Sequence, residues 1–229
     1  MRAEDAIDGR PRAVVAWSSG KDSAYALHEV RRAGEFDVVG LLTTVGEADG
    51  AVSMHGVRPA LLRRQAAELG LPLLEVPIPS PCPNGVYGRR MAEALERLRR
   101  DGVTCVIFGD LFLEDVRAYR EARMASSGLR PAFPLWGRNT ERLALEMIDA
   151  GIEALLTCVD PRCLPSALAG RRFDRELLTE LPPPVDPCGE RGEFHTAVVA
   201  GPIFRRRIPA AAGDCVERDG LVFSDVIVG

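Results

Sequence analysis

A doubly wound α/β domain with a parallel sheet, followed by a smaller C-terminal α+β domain, is the fold class that this 229-residue sequence predicts. Three observations carry it. Over the first two-thirds of the chain, short apolar, β-branched runs alternate with stretches of helical periodicity. Those runs are continuous in their apolar character, as in strands buried on both faces of a parallel sheet. Beyond about residue 160 the texture changes to loops and short strands.

Taken in order, the strand runs are RAVVAW (12–17), FDVVGLLTT (36–44), LPLLEVPI (71–78), VTCVIFGD (103–110) and IEALLTCV (152–159). Helical patterns fall between them at about 21–33, 57–69, 86–101, 113–127 and 139–150. Right-handed crossovers would place those helices on both faces of the sheet. The segment 161–196 reads as loop with one short helix. TAVVAGPIFRRRIPAA (196–211), DCVERDG (214–220) and LVFSDVIV (221–228) then read as antiparallel strands. Asp219-Gly220 supplies the positive φ angles that a tight hairpin turn needs. The boundary is placed at Asp160-Pro161, giving domains 12–160 and 161–229.

Composition narrows the function classes. The chain is 46% apolar and 27% charged, with a net charge of -4. That is globular composition, and it lacks the basic footprint of a nucleic-acid binder. No run of 18 apolar residues predicts a membrane span. The polar start MRAEDAIDGRPR has no apolar signal core, so a cytoplasmic protein is expected. Cys82, Cys105, Cys158, Cys163, Cys188 and Cys215 form no CxxC pair and are expected to be free thiols.

The most informative stretch is Ser18-Ser19-Gly20-Lys21-Asp22-Ser23. It lies between the first strand and the first helix, where backbone N–H groups and a helix N-terminus converge and attract phosphate. Gly20 permits close backbone approach, and the hydroxyls of Ser18, Ser19 and Ser23 can donate. Asp22 would repel a bare phosphate but suits Mg²⁺. The stretch is not a Walker A loop, because Asp22 follows the lysine and the first glycine of that pattern is missing. Of the 29 basic residues only Lys21 is a lysine. A compact ammonium meets phosphate as a point charge where a guanidinium demands a planar fork, so this position is expected to be one where arginine fails.

SSGKDS resembles the SGGKDS signature of the PP-loop ATP pyrophosphatases, with Ser19 standing where that family usually has glycine. A negative φ at Ser19 would accommodate serine without strain. Three further stretches narrow the resemblance: SMHGVRPALLRRQAAELG (53–70), VIFGDLFLEDVRAYREARMASSGLRPAFPLWGR (106–138) and DPCGERGEFHT (186–196). Together they resemble the diphthine–ammonia ligase family, the last element being the most specific. The resemblance implies an adenine nucleotide alpha hydrolase-like, Rossmann-like fold. It also implies ATP and Mg²⁺ as cofactors, and AMP-forming activation of a substrate carboxylate with ammonia displacing AMP. No glutaminase part is visible, so free ammonia is the expected donor.

Residue by residue, the resemblance implies that the loop Trp17, Ser18, Ser19, Gly20, Lys21, Asp22 and Ser23 binds the pyrophosphate end of ATP. Thr43 and Thr44 end the second strand on the same rim, near adenine or ribose. His55 stands ahead of the second helix as an ATP contact or a cap. Gly109 and Asp110 end a buried strand on the ligand side of a parallel sheet, where Asp110 would hold Mg²⁺ or the ammonia nucleophile, or else cap a helix. Glu114, Arg117 and Arg120 recur at i, i+3 and i+6 on one helical face, for substrate or AMP phosphate, or as a solvated face. Trp136 is a core anchor or a cleft wall. Glu190, Glu193 and His195 crowd a glycine-containing loop and could deprotonate an amine or hold the cationic head of diphthine.

Two other classes fit the sequence less well. A tRNA-modifying PP-loop enzyme would want paired cysteines and a basic surface, and neither is present. A non-catalytic nucleotide module would not need the acidic loop. The arginine, alanine and proline richness is that of a GC-rich genome. For an archaeal or eukaryotic chain the resemblance implies diphthine on elongation factor two as the carboxylate; for a bacterial chain it implies the chemistry, while the carboxylate could belong to a small molecule or cofactor. A homodimer is the expected assembly.

Overall fold

The computed structural model describes residues 9–52 and 56–229. Its first sheet has five parallel strands: β1 (Arg12–Ala16), β2 (Asp37–Gly46), β3 (Leu73–Ile78), β4 (Cys105–Ile107) and β5 (Arg130–Ala132), in the order β3-β2-β1-β4-β5. Five helices connect and flank them: α1 (Lys21–Ala33), α2 (Pro59–Leu69), α3 (Asn84–Arg100), α4 (Glu114–Ser127) and α5 (Thr140–Asp149).

Strand pleating explains the layers. On β1, Ala13 and Val15 point to one face and Val14 to the other. The first pair joins a core with Leu27 and Val30 of α1, Leu61 and Leu62 of α2, and Leu143 and Met147 of α5. Val14 joins a second core with Leu95 and Leu98 of α3 and Met124 of α4. The sheet is thus covered on both sides, and its strands read as continuous apolar runs for that reason.

A four-stranded antiparallel sheet, ordered β7-β6-β9-β8, makes the second unit from β6 (Glu153–Val159), β7 (Phe194–Ala200), β8 (Ala210–Arg218) and β9 (Leu221–Val228). The short helix α6 (Arg175–Glu180) precedes β7. Asp219 (φ 54) and Gly220 (φ 75) close the β8–β9 hairpin with the expected positive φ pair.

Two features differ from the sequence reading. The run 152–159 is not a strand of the parallel sheet. It pairs antiparallel with β7 and β9, so the sheets change before the expected boundary at Asp160. Being internal to its sheet and buried almost throughout, it shows the same unbroken apolar pattern as a parallel strand. The fifth parallel strand is instead the three-residue β5, too short to give a pattern. Leu156, Phe194, Val198 and Val226 of the second sheet share the larger core with α1, α2 and α5. The two units are therefore joined by continuous packing.

Candidate functional site

The strand order reverses between β1 and β4, and a crevice opens at the carboxyl ends of those strands, where open α/β sheets bind their ligands. A cavity of about 220 Å³ lies there, walled by Ser18, Gly20, Lys21, Asp22 and Ser23 from the loop, Gly109, Asp110 and Arg120 from the β4 side, and Glu190, His195 and Thr196 from the second unit. Ala16, Ser18, Phe108 and Arg120 also border a larger, mainly apolar chamber of about 470 Å³ lined by Trp17, Thr43, Thr44, Tyr87 and Arg123. The loop, the strand end and the C-terminal acidic segment thus meet at one place.

The loop is held by its own hydroxyls. Ser23 Oγ donates to the Gly20 carbonyl at 3.0 Å, and the Ser18 and Ser23 hydroxyls lie 3.1 Å apart. The Gly20 N–H donates to Ser18 Oγ at 3.3 Å, and the Lys21 N–H to Thr196 Oγ1 at 3.1 Å. Ser19 takes φ 69, in the left-handed region, so the negative φ that would have spared serine strain is not what the loop adopts.

Lys21 is 2% exposed. Its Nζ donates to both Asp22 oxygens at 2.9 Å and to the Cys188 carbonyl. The rings of Phe173 and Phe194 stand 5.4 Å from Nζ on their faces. Burial alone would lower the ammonium pKa. Asp22, followed by the Cys188 and Glu190 groups, more than offsets that and keeps it above its ordinary value. All three ammonium protons are spent on protein acceptors, so this lysine closes a cage as well as charging the cleft.

Gly109 is fixed by contact. A Cβ there would sit 2.7 Å from the Asp22 carbonyl carbon and 2.8 Å from the Ser23 nitrogen. Both are backbone atoms of the first turn of α1 and cannot swing aside. Gly109→Ala is expected to lower stability by about 1–3 kcal/mol and to open the cleft, seen as a lower urea midpoint.

Asp110 and Asp22 both line the cavity. Asp110 accepts from Arg120 Nε at 3.2 Å, and Arg120 lies over the Phe108 ring at 4.7 Å. Leu113, not Asp110, occupies the N-cap of α4. Among the described residues no group of three or more His, Cys, Asp or Glu is arranged to hold a metal. Of the three carboxylates on the cleft wall, Asp22 and Asp110 each already face a cation, and with Glu190 they form no metal cage among the described residues.

Glu190 is a carboxyl whose chemistry the cleft alters strongly. Oε1 accepts the Leu111 N–H at 2.8 Å. Burial raises its pKa to about 7, helped by Asp22 and Asp110 and opposed by the Leu111 N–H and Lys21. His195 is pulled down to about 4, first by burial and then by the Lys21 charge, so it is neutral at pH 7. Glu193 is placed differently. Its oxygens accept the Asp186 and Arg191 N–H groups, both at 2.9 Å, and it braces the loop instead of lining the cavity.

The remaining predicted residues divide. Arg120 borders both cavities, whereas Glu114, Arg117 and Trp136 border neither. Arg117 stacks between Trp136 (4.7 Å) and Phe133 (5.0 Å) and pairs with Glu121. Trp17 is buried, and its indole donates to Gln65 at 3.0 Å. Thr43 is buried with no partner for Oγ1 among the described residues, on the wall of the apolar chamber. His55 lies outside the described residues.

Three residues that shape the site were missed. Asp186 accepts from the Cys188 and Glu190 N–H groups and from Thr140 Oγ1 at 2.6 Å, so it sets the loop that carries Glu190. Its place at the head of a turn with a proline was the available signal. Thr196 and Gln65 were the other two. Gln65 interrupts the apolar stripe Leu61, Leu62, Ala66, Leu69 of α2, and a polar residue on such a stripe marks a buried hydrogen-bonding task.

Fold and crevice together define a doubly wound α/β protein with a ligand cleft at its switch point and a lysine-bearing loop at a helix N-terminus. The diphthamide synthase N-terminal domain matches residues 11–131 and the diphthamide synthase C-terminal domain residues 139–218, so the chain belongs to the diphthamide synthase family. The diphthine–ammonia ligases of Bos taurus and Homo sapiens are each 33% identical over 103 residues, 43% of this chain and 39% of theirs. That of Schizosaccharomyces pombe is 31% identical over 94 residues, 39% of this chain and 16% of its own. The matched stretch thus spans well under half the length of these relatives.

Proposed function

We propose that the chain is an ATP-dependent, AMP-forming amide ligase of the diphthine–ammonia ligase type. The observation that carries this reading is the joining of an apolar chamber, a loop at a helix N-terminus and a buried carboxyl of raised pKa in one crevice. Adenine and ribose would occupy the chamber, where the unpartnered Thr43 hydroxyl and Thr44 meet an apolar wall. The phosphates would run over Ser18 and Gly20 to the N-terminus of α1.

The substrate carboxylate oxygen attacks the α-phosphorus and pyrophosphate leaves. Ammonia then attacks the acyl carbon and AMP leaves. Glu190, with a pKa of about 7, takes the proton that the nitrogen sheds. Arg120, at the junction of the two cavities, is placed to meet the developing charge at the α-phosphate. Mg²⁺ would enter with the phosphates, against Asp22 and Asp110, and would neutralise pyrophosphate charge. Residues 161–229 would supply the substrate wall. The carboxylate is taken to be that of diphthine, as the relatives' name gives it.

The direct test is transfer of labelled nitrogen. Incubation with ATP, ¹⁵N-ammonium and the candidate carboxylate should yield a ¹⁵N-amide with one AMP per amide. Amide formed without ATP, or AMP released with no amide at any candidate, would contradict the reading. A second expectation concerns the chamber. Thr43→Val removes an unpartnered hydroxyl at nearly constant shape, so stability should hold or rise slightly. KM for ATP should increase roughly 3–10-fold, the worth of one hydrogen bond, and steady-state kinetics beside a thermal melt reads both.

A further inference from the structure

Gln65 lies 46 residues from the signature loop in sequence and has no solvent exposure. Its side-chain amide donates to the Ser19 carbonyl at 3.2 Å and to the Val198 carbonyl of β7 at 2.8 Å. Its oxygen accepts the Trp17 indole N–H at 3.0 Å. The Ser19 carbonyl accepts a second hydrogen bond, from the Val198 N–H at 2.9 Å. One side chain thus binds the end of the first strand, the loop and the second sheet to one another.

What it binds is strained. Ser19 sits at φ 69, where a Cβ crowds the backbone and glycine is the default residue. Its own hydroxyl is buried and has no partner among the described residues, so the side chain does not stabilise the turn. A non-glycine residue stays in this region only where its surroundings over-determine it. Here those surroundings are the two donors on the Ser19 carbonyl.

We propose that Gln65 is a positioning residue that clamps the Ser19 peptide in its left-handed turn and so aims Gly20 and the N-terminus of α1 into the cleft. The proposal rests on the nucleotide reading of that cleft. It also predicts an interaction between two positions. Glycine at 19 holds φ 69 without the clamp, so it should restore what loss of the clamp removes.

The test is a cycle of wild type, Gln65→Met, Ser19→Gly and the double variant. ATP affinity is read by calorimetry, and amide hydrogen exchange is read over residues 18–21 and at Val198. Gln65→Met keeps the side-chain length and loses the donors. It should weaken ATP binding about tenfold and speed exchange at the Gly20, Lys21 and Val198 amides. The double variant should recover about fivefold of the affinity, the worth of a left-handed non-glycine residue, together with protection of the loop. Gln65→Met that lowers only the melting temperature, with loop exchange and affinity unchanged, would overturn the proposal. So would losses that Ser19→Gly fails to reduce. If wild type binds no ATP, the reading of the cleft falls, and the exchange arm alone then decides the clamp by the same criteria. Should Gln65→Met not fold, Trp17→Phe removes the indole donor to Gln65 together with part of the ring's buried volume, so the decisive reading is whether Ser19→Gly reduces the loss. Paired with Ser19→Gly it should show a smaller loss of loop protection, again reduced by the glycine, and unchanged protection would count against the clamp.

Discussion

Lys21→Arg is expected to abolish at least about 99% of ATP turnover although it preserves the charge. The ammonium is enclosed by the Asp22 carboxylate, the Cys188 carbonyl and the faces of Phe173 and Phe194, with 2% exposure. A guanidinium is longer and forked, and cannot place its donors where one nitrogen stood. Either a phenylalanine or the segment 186–191 must move. Overpacking of this kind costs about 1–3 kcal/mol. Displacement of the same segment carries Glu190 away from the cleft, and a shift near 1 Å at a reacting centre costs roughly a hundredfold in rate. A melt and a turnover assay on the same preparation separate the two effects. Near-wild-type turnover with a wild-type melt would show that the cage is not tight.

Glu190→Gln is expected to lower turnover by about 10²–10³ at pH 8, within the range of a lost general base. The amide keeps an oxygen for the Leu111 N–H, so the loop should stay in place. The pH profile is the more specific readout. The carboxyl titrates near 7 in the folded protein against an ordinary 4.5. As a base it works when deprotonated, so wild-type turnover should rise through about pH 7, and this rise should be lost in Glu190→Gln. Stability has the opposite sign. A carboxyl with a raised folded pKa holds its proton more firmly when folded. Its stabilising contribution is therefore complete below about 4.5 and is lost as pH rises through 7. Glu190→Gln should flatten that decline, which denaturant midpoints between pH 5 and 8 would show.

Much of the molecule was legible from local pattern. The helices at 21–33 and 114–127 appear almost where periodicity put them, because their apolar stripes and the glycines that follow, Gly34 and Gly128 in left-handed caps, are local signals. The first four parallel strands were legible for the same reason. What failed was whatever depends on partners remote in sequence. The run 152–159 carries no mark of which sheet it joins, since burial on both faces looks the same in either. The residues Glu114, Arg117 and Arg120 of α4 were read as a unit, yet of the three only Arg120 borders the cavities, joined there by Tyr119, Arg123 and Met124, because helix packing and not spacing decides which turn meets the crevice. Lys21 was singled out as a position where arginine is expected to fail. Its cage, however, comes from Phe173, Cys188 and Phe194, more than 150 positions away along the chain, and no local motif announces them. Glu193 looked like a partner of Glu190 because the two are close in sequence. In the fold it turns inward to satisfy the N–H groups of its own loop, a common destination for an acid in a tight glycine-containing turn.

The proposed function requires that this crevice cleave ATP between the α- and β-phosphates. The measurement that tests it most directly is the identity of the products of ATP turnover, with Mg²⁺, ammonium and a panel of carboxylates, for wild type beside Lys21→Arg. AMP and pyrophosphate in equal amounts, dependent on a carboxylate and lost in Lys21→Arg, is the result the proposed function predicts. ADP and phosphate, or full AMP formation by Lys21→Arg, would contradict it.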